Sequence, residues 1–205
     1  MIHVNGVDVS DWQGQVDWDK VKSDGYSFAY AKATQGTSSV QSTFATNCAG
    51  IAAAGMLRGA YHMFEFGSDP ATQAQNFLKT AAPQAGDLPP MIDLELSTNS
   101  SPRDAITAVR SFLSIVEAQI NAKCVIYLGF YFWRDALGGT DAFSSNPLWL
   151  ANYTTAEQPS AMPAVWSKLI FWQYSSNGNL AGINGAVDLD RYIGSLSDLR
   201  QLTLK

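Results

Sequence analysis

Apolar positions along the chain fall into short runs of strand length, separated by stretches whose apolar residues recur at helical spacing. Val7-Asp8-Val9 followed by Ser10-Asp11-Trp12 reads as a short buried strand ending in polar residues, with Asp8 interrupting its apolar run. Asp17-Trp18-Asp19-Lys20-Val21 is a helical turn closed near Gly25. Tyr26 to Lys32 is strand-like and breaks at Thr34-Gln35-Gly36; Thr43 to Ala54 then forms an Ala-rich helix stopped by Gly55. Arg58 to Met63 is the third strand. Ser68-Asp69-Pro70 opens the helix after it, because Ser or Asp caps free backbone N–H groups and Pro lacks one at the first helical position.

The fourth unit begins with Pro89-Pro90-Met91-Ile92-Asp93-Leu94-Glu95-Leu96. Two carboxylates two residues apart on a strand share one face, about 6–7 Å apart at Cα. The helix that follows Ser101-Pro102 carries Ile106, Val109, Phe112, Leu113, Val116 and Ile120 on one stripe. Four successive strand–helix units predict a parallel α/β architecture, since parallel neighbours need crossover connections. In the second half, Val125-Ile126-Tyr127-Leu128, Leu148 to Asn152, Ile170 to Tyr174 and Val187-Asp188-Leu189 read as strands, with loops rich in Gly, Pro, Ser and aromatics between them. Eight strands predict an α/β fold: an irregular, TIM-barrel-like β/α barrel with helices depleted in its second half. A short helical tail follows Gly194.

Composition narrows the class. The 205 residues, 46% hydrophobic, are enough for one sizeable core, so residues 1–205 are expected to form a single domain. A formal charge of −5 without any Lys/Arg run argues against nucleic acid and against an anionic membrane surface as partners. No apolar stretch reaches membrane-spanning length. Met1-Ile2-His3-Val4-Asn5-Gly6 has neither the basic start nor the apolar core of a signal peptide. Cys48, on a helix, and Cys124, leading into a strand, are expected to be free thiols.

Polar residues interrupt or end the predicted strands: Asp8, His62, Asp93, Glu95, Asn152, Gln173 and Asp188. In a barrel, strand C-termini carry the chemistry. A lone strand-end polar residue often only satisfies a loop amide; seven together point to a site. Four crowded acids repel, so some must be raised in pKa or hydrogen-bonded, and paired acids in unlike environments do acid/base work. Aromatics cluster nearby, and of these Tyr61, Tyr127 and Trp172 are the candidates for stacking on flat sugar rings.

Gly6-Val7-Asp8-Val9-Ser10 with Trp12-Gln13-Gly14, Lys32-Ala33-Thr34, Gly59-Ala60-Tyr61-His62, Asp93-Leu94-Glu95, Pro147-Leu148-Trp149, Trp172-Gln173-Tyr174 and Val187-Asp188-Leu189-Asp190 together resemble the family 25 glycoside hydrolases, the N-acetylmuramidase lysozymes. The resemblance runs from Gly6 to about Gly194. It implies an irregular β/α barrel that cleaves the β-1,4 bond between N-acetylmuramic acid and N-acetylglucosamine in bacterial peptidoglycan. One position departs: where the family usually has Glu after Lys-Ala-Thr, this chain has Gln35.

On this reading Glu95 is the general acid, needing a raised pKa. Asp93 is either a nucleophile or, as the resemblance implies, the group that orients and charge-stabilises the substrate's own 2-acetamido group; spacing leaves both open. Asp8 and Asp188, from the first and last strands, become neighbours on barrel closure and support the central pair. Tyr61, Tyr127, Trp172, Asn152, Gln173 and His62 are the candidate substrate contacts, although a structural hydrogen bond suits a lone His62 equally well. No metal or cofactor is required. The expected partner is a peptidoglycan glycan strand, engaged by a monomer at the bacterial cell wall, from a phage endolysin or a secreted enzyme. The rival readings are a non-catalytic carbohydrate-binding barrel, a divalent-metal phosphoesterase using the four acids as hard ligands, and a chitin-directed glycosidase.

Overall fold

The computed structural model describes residues 2–205; Met1, the first residue of the segment compared with a signal peptide, lies outside them. The elements in chain order are β1 (His3–Val9), a 3-10 turn (Asp11–Gln13), α1 (Trp18–Ser23), β2 (Tyr26–Gln35), β3 (Ser39–Val40), α2 (Phe44–Ala53), β4 (Leu57–Met63), α3 (Pro70–Ala81), β5 (Met91–Asp93), α4 (Pro102–Ile120), β6 (Val125–Gly129), α5 (Phe130–Asp135), β7 (Leu148–Ala151), β8 (Phe171–Gly178), β9 (Val187–Ile193) and α6 (Leu196–Gln201).

The strands lie in the order β1-β9-β8-β7-β6-β5-β4-β2, and β1 pairs with β2 to close the barrel. The two-residue β3 only extends β2. All eight predicted strands are present, and the predicted helix starts hold: Asp69 caps α3 through Thr72 N, Ser101 caps α4 through Asp104 N, and Pro occupies the first turn of both. The four strand–helix units run parallel as expected; one expectation needs correction, and one feature lay beyond the sequence reading. Strand β1 stops at Val9, because Ser10 caps the 3-10 turn in a reciprocal pair with Gln13. The barrel is also not all parallel: β9 runs antiparallel to both β8 and β1. Only residues 179–186 join β8 to β9, too few for a crossover, so the chain returns antiparallel, whereas the longer helix-free connection 152–170 lets β8 run parallel to β7. The second half has one short helix of its own before β7, the aromatic α5.

Strand parity sorts the core into two layers. Phe28, Tyr30, Tyr61, Met91, Val125, Tyr127, Trp149, Phe171 and Tyr192 form one buried cluster filling the barrel. Their rings meet edge-on or stacked, as in Tyr30–Trp149 at 4.9 Å and Trp149–Phe171 at 4.8 Å between centroids. Residues of the opposite parity, including Ala29, Ala31, Ile92, Ile126, Leu128 and Leu150, form the second cluster with the helices, meeting Phe77 of α3 and Val109, Phe112 and Val116 of α4. The large rings inside need space opposite them. A Cβ on Gly6 would stand 2.2 Å from the Phe28 ring, and one on Gly59 2.3 Å from the Tyr30 ring, so both positions admit only hydrogen. The cysteines are free, Cys124 buried and Cys48 partly so.

Candidate active site

Inward parity continues from the aromatic core to the barrel mouth, and there the side chains turn polar. Asp8, Lys32, Tyr61, Met63, Met91, Asp93, Glu95, Tyr127, Gln173 and Asp188 line one cleft of about 290 Å³, with Ser10, Trp12, Tyr153 and Ser176 on its rim. Asp188 starts β9 rather than ending it, yet reaches the same mouth because β9 is reversed. Asp93 ends β5; Leu94 still donates its N–H to the Tyr127 carbonyl at 3.0 Å, and Glu95 follows just beyond the strand. The two acids occupy unlike settings: Asp93 is 4% exposed, with Oδ1 buried and unpartnered, while Glu95 is exposed at the mouth.

Burial dominates the electrostatics. It pushes Asp93 well above the usual carboxylate range, with Glu95 and Asp8 adding to the rise and Lys32 opposing it. Partial desolvation also raises Glu95, against the pull of Lys32 and of the Tyr127 hydroxyl. Burial and then Glu95 raise Asp188 to about 6. Asp8 is raised by burial and by Asp188, although Gln173 Nε2 donates to its Oδ2 at 2.7 Å. Gln173 Oε1 in turn accepts from Tyr127 and Tyr153, each at 2.8 Å, so one amide orients an acid and two phenols. Among the described residues, Lys32 is the only cation lining the cleft. Its Nζ donates to Gln35 Oε1 at 2.8 Å and contacts Met63 Sδ at 3.2 Å, and Gln35 Nε2 donates to Glu65 at 2.9 Å. Among the described residues, no group of three or more His, Cys, Asp or Glu is arranged to hold a metal ion, and no helix is long and apolar enough to cross a membrane.

The structure thus brings seven of the predicted residues to one cleft: Asp8, Tyr61, Asp93, Glu95, Tyr127, Gln173 and Asp188. Three others lie elsewhere. His62 and Trp172 each sit one residue from a cleft residue and so face the outer layer. His62 is fully buried, stacks on Phe112 at 4.9 Å, and hydrogen-bonds Thr34 and Gln73; burial holds its pKa down at about 4. Trp172, also fully buried, donates its indole N–H to the Asn152 carbonyl at 2.8 Å. Asn152 uses its side chain to fasten Ser160. Period-two parity within each strand could have shown that Tyr61 and His62, and likewise Trp172 and Gln173, face opposite ways, so that only one of each pair can enter the cleft.

The cleft also contains residues to which the sequence reading gave no role. Lys32 and Trp12 stood in the quoted motifs, and Trp12 is 93% exposed on the rim. Asp190, in the same motif as Asp188, is fully buried beneath the cleft; burial, Asp8 and Asp188 push it far up, and neither oxygen has a partner in hydrogen-bond geometry.

The family model described as Glycosyl hydrolases family 25 matches residues 7–183. Lysozyme M1 of Streptomyces globisporus is 33% identical over 97% of this chain and 71% of its own length. The uncharacterized protein YegX of Escherichia coli (strain K12) is 34% identical over 96% of this chain and 72% of its own length. The crystal structure of the bacterial lysozyme from Streptomyces coelicolor superposes with a TM-score of 0.93 at 31% identity, covering 99% of this chain and 98% of that one. With its closed eight-strand barrel and acid-lined mouth, this chain belongs to glycosyl hydrolase family 25, as a glycoside hydrolase of lysozyme type.

Proposed function

We propose that this lysozyme hydrolyses the β-1,4 bond between N-acetylmuramic acid and N-acetylglucosamine in bacterial peptidoglycan, with Glu95 as general acid and Asp93 serving the substrate's own acetamido group. The observation that carries this reading is the contrast between the two acids: Glu95 open at the mouth with a raised pKa, Asp93 buried with an unused acceptor oxygen.

Glu95 gives its proton to the glycosidic oxygen as the bond to C1 breaks. The acetamido carbonyl oxygen attacks C1 and forms a cyclic oxazolinium ion. Asp93 Oδ1 accepts the acetamido N–H, which orients the carbonyl and offsets the developing positive charge. Water then opens the ring, losing a proton to the Glu95 carboxylate and restoring the acid. Asp8, Asp188 and Gln173 hold the pair, Tyr61 and Tyr127 border the sugar, and no cofactor or metal enters the scheme. We read residues 1–205 as one catalytic domain acting as a monomer on the wall glycan, without nucleic acid or membrane as partner.

The test is digestion of purified peptidoglycan by wild type and Glu95→Gln, followed by reduction and mass spectrometry of the new sugar ends. Reducing N-acetylmuramic acid ends from wild type, reduced at least ~100-fold in the variant, are expected for a missing general acid. No release from any wall would overturn the enzymatic reading in favour of a binding barrel. Equal release by both proteins would discard Glu95 as the acid.

A further inference from the structure

The missing helix between β8 and β9 leaves part of the barrel's outer wall bare. A depression of about 540 Å³ lies there, formed by Tyr174, Leu189, Arg191 and the segment from Thr154 to Ala156. It adjoins the catalytic cleft, because Tyr153 and Ser176 line both. Arg191 lies 4.2 Å over the Tyr174 ring and 5.2 Å from that of Trp172, which immobilises the guanidinium. Its Nε is buried and has no hydrogen-bond partner, and no carboxylate lies within ion-pair distance of it among the described residues. A preorganised guanidinium with its fork unused, in a chain of net charge −5, is an anion receptor without its anion.

We propose that Arg191 and Tyr174 form an oxyanion-binding subsite that takes a carboxylate of the peptide stem carried by the substrate's muramic residue. The inference rests on the peptidoglycan reading. A stem leaves the glycan at the lactyl group, beside the reacting sugars, and the rim at Tyr153 and Ser176 is the passage from cleft to depression. Its role would be substrate selection: the stem carboxylate anchors the muramic residue, and a peptide-free glycan gains nothing from it. Phosphate of other wall polymers shares the oxyanion chemistry, so the test separates the two sources.

Glycan strands with stems intact, the same strands with stems removed at the lactyl amide, and walls with and without their phosphate polymers are digested by wild type, Arg191→Gln and Arg191→Lys. Arg191→Gln is expected to lose about tenfold in kcat/KM on stem-bearing strands, through KM, as for loss of a charged hydrogen bond. It should match wild type on stripped strands, and Arg191→Lys should recover part of the loss. Equal loss on both strands would overturn the stem assignment, since cleavage of the lactyl amide leaves a lactyl carboxylate on the stripped strand; no loss on either would remove the subsite, and dependence on the phosphate polymer would overturn the carboxylate assignment. Calorimetric titration with the free stem peptide reads the subsite without turnover: binding by wild type and not by Arg191→Gln supports it, and no difference overturns it. Failure of wild type to release muramic acid ends from every strand instead counts against the muramidase reading.

Discussion

Asp8 and Asp188 stand opposite each other in the antiparallel β1–β9 pair, so the first and last strands of the chain meet where two acids of the cleft face each other. Like charges facing across a strand pair are destabilising, and burial adds to the cost. The fold therefore holds its first and last inward acids together at the expense of stability near neutral pH.

The sign of that cost is measurable. Asp188 rises from an ordinary 3.8 to about 6, so the folded state keeps a proton over a range in which the unfolded chain has released it. Its contribution is greatest below pH ~4 and is lost as pH rises through about 6, with Asp8 and Asp93 acting in the same direction. Surface acids with lowered pKa values, such as Asp69 and Asp198, act oppositely and only at lower pH. The melting temperature of Asp188→Asn should exceed that of wild type at pH 7, and the gap should close by pH ~4. A gap independent of pH would refute this account.

Lys32 is expected to set the alkaline limit of activity through its effect on Glu95. It pulls Glu95 down, so in Lys32→Met the acid should hold its proton to higher pH. The descending limb of the kcat profile is expected to move to higher pH even where the maximal rate falls. A limb that stays in place, or moves down, would show that Lys32 does not act on Glu95.

The amide at Gln35 leaves Lys32 uncancelled, since Gln35 links it to Glu65 without bringing charge against it. Gln35→Glu would place a carboxylate next to Lys32 and beside Glu65. The alkaline limb should move in the same direction as in Lys32→Met, but less far. A shift to lower pH would contradict the link.

Gly6 tests the barrel interior. With the Phe28 ring 2.2 Å from where a Cβ on Gly6 would stand, Gly6→Ala forces the packed rings to move, at a cost of about 1–3 kcal/mol. For a chain of this size, thermal unfolding should fall by about 2–4 °C per kcal/mol. Phe28→Leu in the same chain should return part of that loss; additive losses would argue against a direct clash.

Much of the barrel was legible in local pattern. Cap residues such as Asp69 and Ser101, the stripe on α4 and the eight apolar runs depend on neighbours close in sequence, so the chain's own order predicts them. The acids Asp8, Asp93, Glu95 and Asp188 were visible because carboxylates in apolar runs need a reason to be there. Only tertiary structure decided the reversal of β9, since strand direction depends on how the chain crosses the barrel, and with it the meeting of Asp8 and Asp188. It also decided which neighbours share the cleft: Tyr61 and Gln173 face the mouth while His62 and Trp172, one residue away, face the outer layer. Local sequence sets the alternation of a strand, but only packing against the other strands chooses which face is inside.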